Sequence, residues 1–278
     1  MAAPSVSLSS RALSRPPYRG RIAAAYDAPE YLSFLAEPGA LSAPPRAEIL
    51  VAGRNTVAAI KDAPGGRPAA GIVVKSFGAR GLSRLKTLVQ PSKAERAWRG
   101  AVALAEAGFR TAAPIAFLER RRGGLVRESY FVAERLTSGR EIRGLFREPP
   151  PSGLEPLLSA LAAELARLHA AGLLHRDLSD GNILVDGGPD FRFAFLDTNR
   201  VRRRARLGGT ARARNLVRLG VPPSLRGFFL ERYALAAGRP LRPGFVFFYR
   251  LAKGAFAAWI GIKKSLKLKA LARRLKIQ

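Results

Sequence analysis

His175-Arg176-Asp177-Leu178-Ser179-Asp180-Gly181-Asn182 sets an Asn five residues after the Asp of an H-R-D triplet. That is the spacing of a catalytic loop for phosphoryl transfer. In such a loop the Asp accepts the proton of a substrate hydroxyl, and the Asn holds a metal ion on the nucleotide phosphates. Asp177 and Asn182 take those places. Ile183-Leu184-Val185 follows as an apolar run and predicts a short buried strand. Alone, the same residues also suit a turn after a helix, with His175 and Asp177 only capping it. The choice between the two rests on the rest of the chain.

Upstream, Gly71-Ile72-Val73-Val74-Lys75 is an apolar, β-branched run ending in Lys. It resembles the V-A-I-K strand of kinases, whose Lys contacts the α- and β-phosphates. A helix should follow and carry a Glu that pairs with that Lys. Pro91-Ser92 are helix start signals, and Glu95 is the only acidic residue of that helix before Glu106. Lys75 and Glu95 are thus the expected phosphate-orienting pair. Downstream, Phe191 to Leu196 reads as a strand ending in Asp197, in the slot of the second Mg2+ ligand. Each residue has a plainer reading: a solvent lysine at a strand end, a surface helix charge, a turn residue before Thr198-Asn199. Lys75, Glu95, Asp177 with Asn182, and Asp197 in that order make those readings hard to hold together.

Two features depart from a protein kinase. Asp197 is followed by Thr198-Asn199-Arg200 rather than Phe-Gly. The glycine-rich phosphate loop is weak: Ala52-Gly53-Arg54-Asn55-Thr56, between Ile49–Val51 and Val57–Ile60, is a predicted β-hairpin with one turn glycine. Gly53 is the candidate there, with Arg54 or backbone N–H groups serving the phosphates. A plain structural hairpin fits equally well.

The expected fold class is α+β, a bilobal protein-kinase-like fold. It has a small β-rich N-lobe with one main helix and a larger, mostly helical C-lobe. Residues 1–47 read as a Pro/Arg-rich leader with one short helix near Tyr31–Leu35. Residues 48–135 read as the N-lobe, 136–240 as the C-lobe and 241–278 as a basic amphipathic tail. Phe131 to Leu136 looks like the last N-lobe strand entering a hinge, so backbone groups near Glu134 to Leu136 would bind adenine. Leu154 to Ala171 carries Leu158, Leu161, Leu165 and Leu168 at helical spacing and stops at Gly172. ATP and Mg2+ are the expected cofactors.

With 278 residues, 47% of them hydrophobic, the chain is long and apolar enough for one two-lobed domain. It has no cysteine and only two histidines, which excludes disulfides, thiolate chemistry and a histidine-rich metal site. The N-terminus has no apolar core of signal length, so no secretory signal is expected. It reads as a leader rather than a mitochondrial presequence of similar composition.

Charge is the second strong signal. Lys and Arg number 48 against 20 Asp and Glu, a formal net charge of +28. The excess calls for an anionic partner, although compositional bias toward Arg explains part of it. Arg200, Arg202, Arg203, Arg204 and Arg206 follow Asp197 directly. Arg120, Arg121, Arg122 and Arg127 flank Gly123-Gly124, a predicted hairpin tip. Phe245 to Ile262 is apolar but broken by Arg250 and Lys253, too polar for a membrane span. Lys263, Lys264, Lys267, Lys269, Arg273, Arg274 and Lys276 follow, with Trp259, Ile262, Leu266, Leu271 and Leu275 near helical spacing. That pattern predicts a basic helix lying on an anionic membrane, the alternative being a helix packed on the larger lobe.

Taken together, the chain resembles the bacterial lipopolysaccharide kinases of the Kdo/WaaP type. The resemblance is carried by Val73-Val74-Lys75-Ser76-Phe77-Gly78, Ser92-Lys93-Ala94-Glu95-Arg96-Ala97-Trp98-Arg99 and Ala107-Gly108-Phe109-Arg110-Thr111-Ala112-Ala113-Pro114. His175-Arg176-Asp177 with Asn182, and Phe195-Leu196-Asp197 with Arg200, complete it. It covers roughly residues 50–235 and leaves out the leader and the tail. It implies ATP-dependent phosphorylation of a sugar hydroxyl in the lipopolysaccharide inner core, at the cytoplasmic face of the inner membrane. It also implies Asp177 as base, Asn182 and Asp197 as Mg2+ ligands, and Lys75 with Glu95 orienting the phosphates. Lipopolysaccharide core, an anionic glycolipid, is the expected partner, and no nucleic acid is expected. The rivals are a kinase of another small molecule or of protein, a basic nucleic-acid binder, and a pseudokinase scaffold. The nucleic-acid reading leaves the ordered catalytic set unexplained.

Overall fold

The computed structural model describes residues 9–53, 55–78, 81–150, 153–187 and 190–274, without the side chains at 42, 82, 83, 264 and 267–274. Arg54, Pro151-Ser152, Leu275 and Lys276 lie outside the described residues, as do the side chains of Lys264, Lys267, Lys269, Leu271, Arg273 and Arg274. The chain begins with β1 (Ser10–Arg15), β2 (Tyr18–Ala23), α1 (Pro29–Phe34), β3 (Glu48–Val51), β4 (Asn55–Ile60), β5 (Ile72–Phe77), α2 (Leu82–Leu85) and α3 (Lys93–Glu106). It continues with β6 (Arg110–Thr111), β7 (Pro114–Arg122), β8 (Leu125–Glu134), β9 (Arg140–Glu141), α4 (Ile142–Arg147), α5 (Glu155–Ala170) and β10 (Leu173–His175). Last come β11 (Ile183–Asp186), β12 (Arg192–Phe195), β13 (Val201–Arg203), α6 (Gly209–Leu216), α7 (Arg226–Ala236) and α8 (Pro243–Arg274). Two compact units result: Met1–Arg140 with Asn182–Arg203, and Glu141–Gly181 with Arg204–Gln278.

The first unit is built on a seven-stranded antiparallel sheet in the order β1-β2-β7-β8-β5-β4-β3. Period-two alternation sorts its side chains onto two faces. Ile72, Val74, Tyr130 and Val132 join one apolar cluster; Phe77, Phe131 and Ala133 join the other. Helix α3 covers the second face with Ala94, Ala97, Trp98 and Ala101. Ser92 caps it: its hydroxyl accepts from the Glu95 N–H at 3.0 Å. The same unit holds the β11–β12 hairpin, with β6 parallel to β12.

Residues 1–47, expected as a leader, supply β1 and β2 to this sheet. The expected short helix is α1. Leu13, Ile22, Tyr31, Leu35 and Leu41 are buried in the first apolar cluster. The physical reason is plain: a seven-stranded sheet has two faces, and α3 covers only one. The apolar residues of this stretch stand singly among Pro, Ser and Arg, so no periodic signal marks them.

The second unit is helical. On α5, Leu158, Leu161, Leu165 and Leu168 are fully buried, as their spacing predicts. At Gly172 (φ +73°) a Cβ would lie 2.3 Å from the Arg204 carbonyl oxygen, so only glycine fits this turn. The C-terminal region forms one continuous helix, α8. Tyr249 is buried and Lys253 and Phe256 are half-buried, at four- and three-residue steps along one face. Phe247, Leu251, Trp259, Ile262 and Leu266 are exposed. By length and composition alone, Pro243–Lys263 is able to cross a membrane. Lys253, however, donates hydrogen bonds to the Val217 and Leu219 carbonyls, so this part of the helix packs on protein.

Candidate active site

A cavity of about 790 Å³ opens in the first unit. Its lining includes Gly53 from the β3–β4 turn, Lys75 from β5, Thr111 from β6, Glu134 to Leu136 after β8, and Asn182 and Asp197 at the open end of the β11–β12 hairpin. Six of the candidate site residues read from the sequence, Gly53, Lys75, Glu134, Leu136, Asn182 and Asp197, thus meet on one surface. Lys75 shares the inward face of β5 with Val73. Its ammonium forms an ion pair with the Asp197 carboxylate. The Lys75 Nζ also stands 5.5 Å from the Phe77 ring centroid.

Asn182 and Asp197 come together through hairpin register. Ile183 faces Phe195, and the Leu196 N–H donates to the Asn182 carbonyl at 2.9 Å. Asp197 is the one non-glycine residue with positive φ among those described, at +52°. Such left-handed geometry costs of order 1 kcal/mol, and it accumulates at functional sites. Helix α3 locks it in place. The buried Thr198 hydroxyl donates to the Ala97 carbonyl at 2.8 Å. Gly100 lets the Thr198 backbone approach so closely that a Cβ there would lie 2.0 Å from the Thr198 carbonyl oxygen. The Asn199 amide donates to Asp197 Oδ1 at 3.3 Å. The non-Phe-Gly sequence after Asp197 is therefore a structured tie to α3.

The Gly-x-x-Thr-x-x-Pro stretch has a physical role here. Gly108 (φ +73°) ends α3, with the Phe109 N–H donating to the Leu104 carbonyl. The Thr111 hydroxyl donates to the Phe195 carbonyl at 2.7 Å, steadying the strand that leads to Asp197. Arg110 pairs with Asp186 at the far end of the hairpin.

Glu95 does not pair with Lys75. It binds Arg99 one turn along α3, the favoured i,i+4 arrangement. Lys75 is already engaged by Asp197, and Glu95 is absent from the cavity lining. The hinge also differs in detail. The Glu134 N–H donates to the Ala113 carbonyl, the Arg135 N–H donates to the Gly71 carbonyl, and the Glu134 carboxylate accepts from the Tyr26 hydroxyl. Neither of those amides is open to a ligand. Leu136 is the hinge residue that remains.

Asp177 belongs to the second unit. Its N–H donates to His175 Nδ1 at 3.3 Å, and its carbonyl accepts from the Ser179 N–H at 2.7 Å. Its carboxylate lies 2.5 Å from Arg218 Nη2. Behind it runs a buried polar chain that no motif announces. The Asn215 amide nitrogen donates to the His175 carbonyl at 2.6 Å, which fixes the amide and turns its oxygen to His169 Nε2 at 2.9 Å. His169 Nδ1 then accepts from the Tyr233 hydroxyl at 2.7 Å. Burial pushes the His169 pKa down to about 4, so the ring stays neutral in this chain of bonds. Sequence reading left His169 and Asn215 without a role, because they stand 46 residues apart on different helices.

Among solved structures, WaaP in complex with acyl carrier protein matches with a TM-score of 0.54 at 23% identity, covering 75% of this chain and 88% of that one. The PK-1 kinase of Cydia pomonella granulovirus matches with a TM-score of 0.39 at 16% identity, covering 63% and 57%. No curated protein matches the chain in sequence. The fold is thus the α+β, kinase-like one that the catalytic-loop spacing predicts. In sequence, the lipopolysaccharide kinase (Kdo/WaaP) family matches residues 80–223, from just before α2 to just past Arg218 and Val221. That span is just over half of the chain and includes Glu95, Thr111, Asp177, Asn182 and Asp197, with Lys75 immediately before it; the chain belongs to the lipopolysaccharide kinase (Kdo/WaaP) family.

Proposed function

We propose that this chain transfers the γ-phosphoryl group of ATP to a sugar hydroxyl, of Kdo or heptose, in the lipopolysaccharide inner core. The observation that carries this reading is the Lys75–Asp197 ion pair on the wall of a cavity that Asn182 also lines. In this reading Lys75 would hold nucleotide phosphates, and Leu136 would offer backbone groups to the base. The donor set fits Mg2+ held jointly with the nucleotide. Among the described residues no three His, Cys, Asp or Glu side chains gather into a metal site. One carboxylate (Asp197) and one amide oxygen (Asn182) leave coordination positions for phosphate oxygens and water, as this cation prefers. When bound, the ion would neutralise phosphate charge. Asp177 orients the acceptor hydroxyl and takes its proton; Arg218 fixes one of its oxygens.

The membrane part of the reading rests on charge and on α8. A net charge of +28 suits an anionic glycolipid. The exposed Phe247, Leu251, Trp259, Ile262 and Leu266 offer an apolar stripe on α8, with Lys263 beside it. Each basic residue at an anionic surface contributes about 1 kcal/mol. In this reading the reaction would occur at the cytoplasmic face of the inner membrane, where ATP is available. Removing residues 263–278 reduces co-sedimentation with anionic vesicles and leaves ATP hydrolysis alone; unchanged sedimentation refutes the membrane role.

The decisive experiment incubates the protein with γ-labelled ATP, Mg2+ and lipopolysaccharide lacking core phosphate, with Asp177→Ala as control. Label in the glycolipid that the variant loses establishes the reaction. Intact ATP binding without glycolipid label overturns the acceptor and directs the search to small sugars and proteins.

A further inference from the structure

Arg218 stands at the meeting point of the catalytic loop and α8, within the second unit. Its Nη2 lies 2.5 Å from Asp177 Oδ1. Its guanidinium carbon stands 5.2 Å from the centroid of the Phe256 ring, within cation–π range. The residues on either side of it, Val217 and Leu219, both accept hydrogen bonds from Lys253 Nζ, at 2.7 Å for Val217. Lys253 and Phe256 are one turn apart on α8 and grip the same short loop, one by its backbone and one by its side chain. The loop also abuts the catalytic loop at a second point: a Cβ at Gly220 would lie 2.7 Å from Asp180 Oδ2. Arg218 Nε is buried without a hydrogen-bond partner among the described residues. A guanidinium has five donors in a rigid fork. Here the fork is turned to serve Asp177 while Nε goes unmet.

We propose that Arg218 is a positioning residue for Asp177, held in place by Lys253 and Phe256 of α8. The inference rests on Asp177 as the base in the reading above. A carboxylate on a loop is free to turn about two side-chain bonds. An ion pair to a side chain that is itself clamped removes that freedom, and proton acceptance demands such fixed geometry. Neither Lys253 nor Phe256 is placed in the catalytic machinery; they act through Arg218. Helix α8 thereby serves the reaction from outside the span that matches the family.

The test compares wild type with Arg218→Ala, Arg218→Lys, Phe256→Ala and Phe256→Leu. Phosphoryl transfer and hydrogen exchange of the backbone amides at 176–180 are measured in each. Arg218→Ala lowers kcat by about 10²-fold, the size of effect that misplacement of a reacting group produces, and leaves KM for ATP at the wild-type value. Phe256→Ala lowers kcat by roughly tenfold with the same KM, although it touches no reacting group. Arg218→Lys recovers part of the loss, because it keeps the charge and loses the fork. Exchange at 176–180 speeds up in both alanine variants. Wild-type kcat in Arg218→Ala and Phe256→Ala overturns the proposal. Should an alanine variant fail to fold, Arg218→Lys and Phe256→Leu stand in, and wild-type kcat in both overturns it equally. Should wild type label no acceptor, the acceptor reading fails, and exchange alone decides: faster exchange supports the positioning role and unchanged exchange refutes it.

Discussion

Asp197 and Asp177 are each held by a cation, but the cations reach them by different routes. Lys75 meets Asp197 because strand alternation on β5 turns it to the face that the β11–β12 hairpin also serves. Arg218 meets Asp177 from an irregular loop after α6, and that loop keeps its shape because α8 grips it. The first pair is a product of regular geometry. The second depends on three segments far apart in the chain. Sites of the first kind survive changes in distant elements; sites of the second kind transmit them.

The comparison breaks most sharply at the two ion pairs. Asp177→Asn lowers phosphoryl transfer by about 10²–10⁴-fold, the range for loss of a general base, and leaves nucleotide binding intact. Transfer of label from ATP and binding of a fluorescent nucleotide measure the two, and near-normal turnover rejects the role. Lys75→Met acts at the other pair. It lowers kcat by roughly 10²-fold, as loss of one charge-stabilising donor does, and it weakens nucleotide binding as well. If Lys75→Met leaves binding untouched, the cavity of the first unit is not the nucleotide site.

Next in size is the buried chain behind Asp177. The folded-state pKa of His169, about 4, lies below the ordinary 6.5. Between those values the unfolded chain binds a proton that the folded chain refuses. Stability is therefore full above pH 6.5 and falls as pH drops toward 4, by roughly 3 kcal/mol in all. Denaturant titrations at pH 7 and pH 4.5 measure the loss. His169→Gln, which does not titrate, removes this component of the slope; an unchanged slope assigns it to other groups.

Two glycines in the first unit separate close packing from mere turn formation. Gly100→Ala drives a Cβ into the Thr198 carbonyl, and overpacking of this kind costs about 1–3 kcal/mol. It also displaces Asp197, so activity falls along with the melting temperature. Gly53→Ala meets no atom within 4 Å, but the φ of +159° at Gly53 is one that L side chains rarely adopt. Its cost is backbone strain alone, of order 1 kcal/mol, and any change in activity appears in nucleotide affinity. A melting temperature that falls further for Gly53→Ala than for Gly100→Ala rejects the distinction.

Local pattern was enough for much of this. The Asp-to-Asn spacing in the catalytic loop, the apolar alternation ending at Lys75, the strand ending at Asp197 and the leucine ladder of α5 are all short-range features. The strand and helix features follow periods of two and of about four residues and the loop feature a fixed short offset, all of which a linear sequence displays directly. Net charge is also a sum over residues, independent of folding. What came out differently involves a choice among partners. Glu95 had Arg99 one turn away on its own helix, while Lys75 was taken by Asp197. The Glu134 and Arg135 amides were claimed by Ala113 and Gly71 when β7 and β5 docked beside the hinge. Residues 10–41 joined the sheet because one of its faces was otherwise bare.

Residue types and their spacing therefore settle which groups are available for phosphoryl transfer. Tertiary packing decides which of them are neighbours. Hydrogen bonds and ion pairs act over a few ångströms, and no local period sets Arg218 beside Asp177 or Asn215 beside His169. Those meetings exist only once α5, α6 and α7 are packed and Lys253 has pinned the loop to α8.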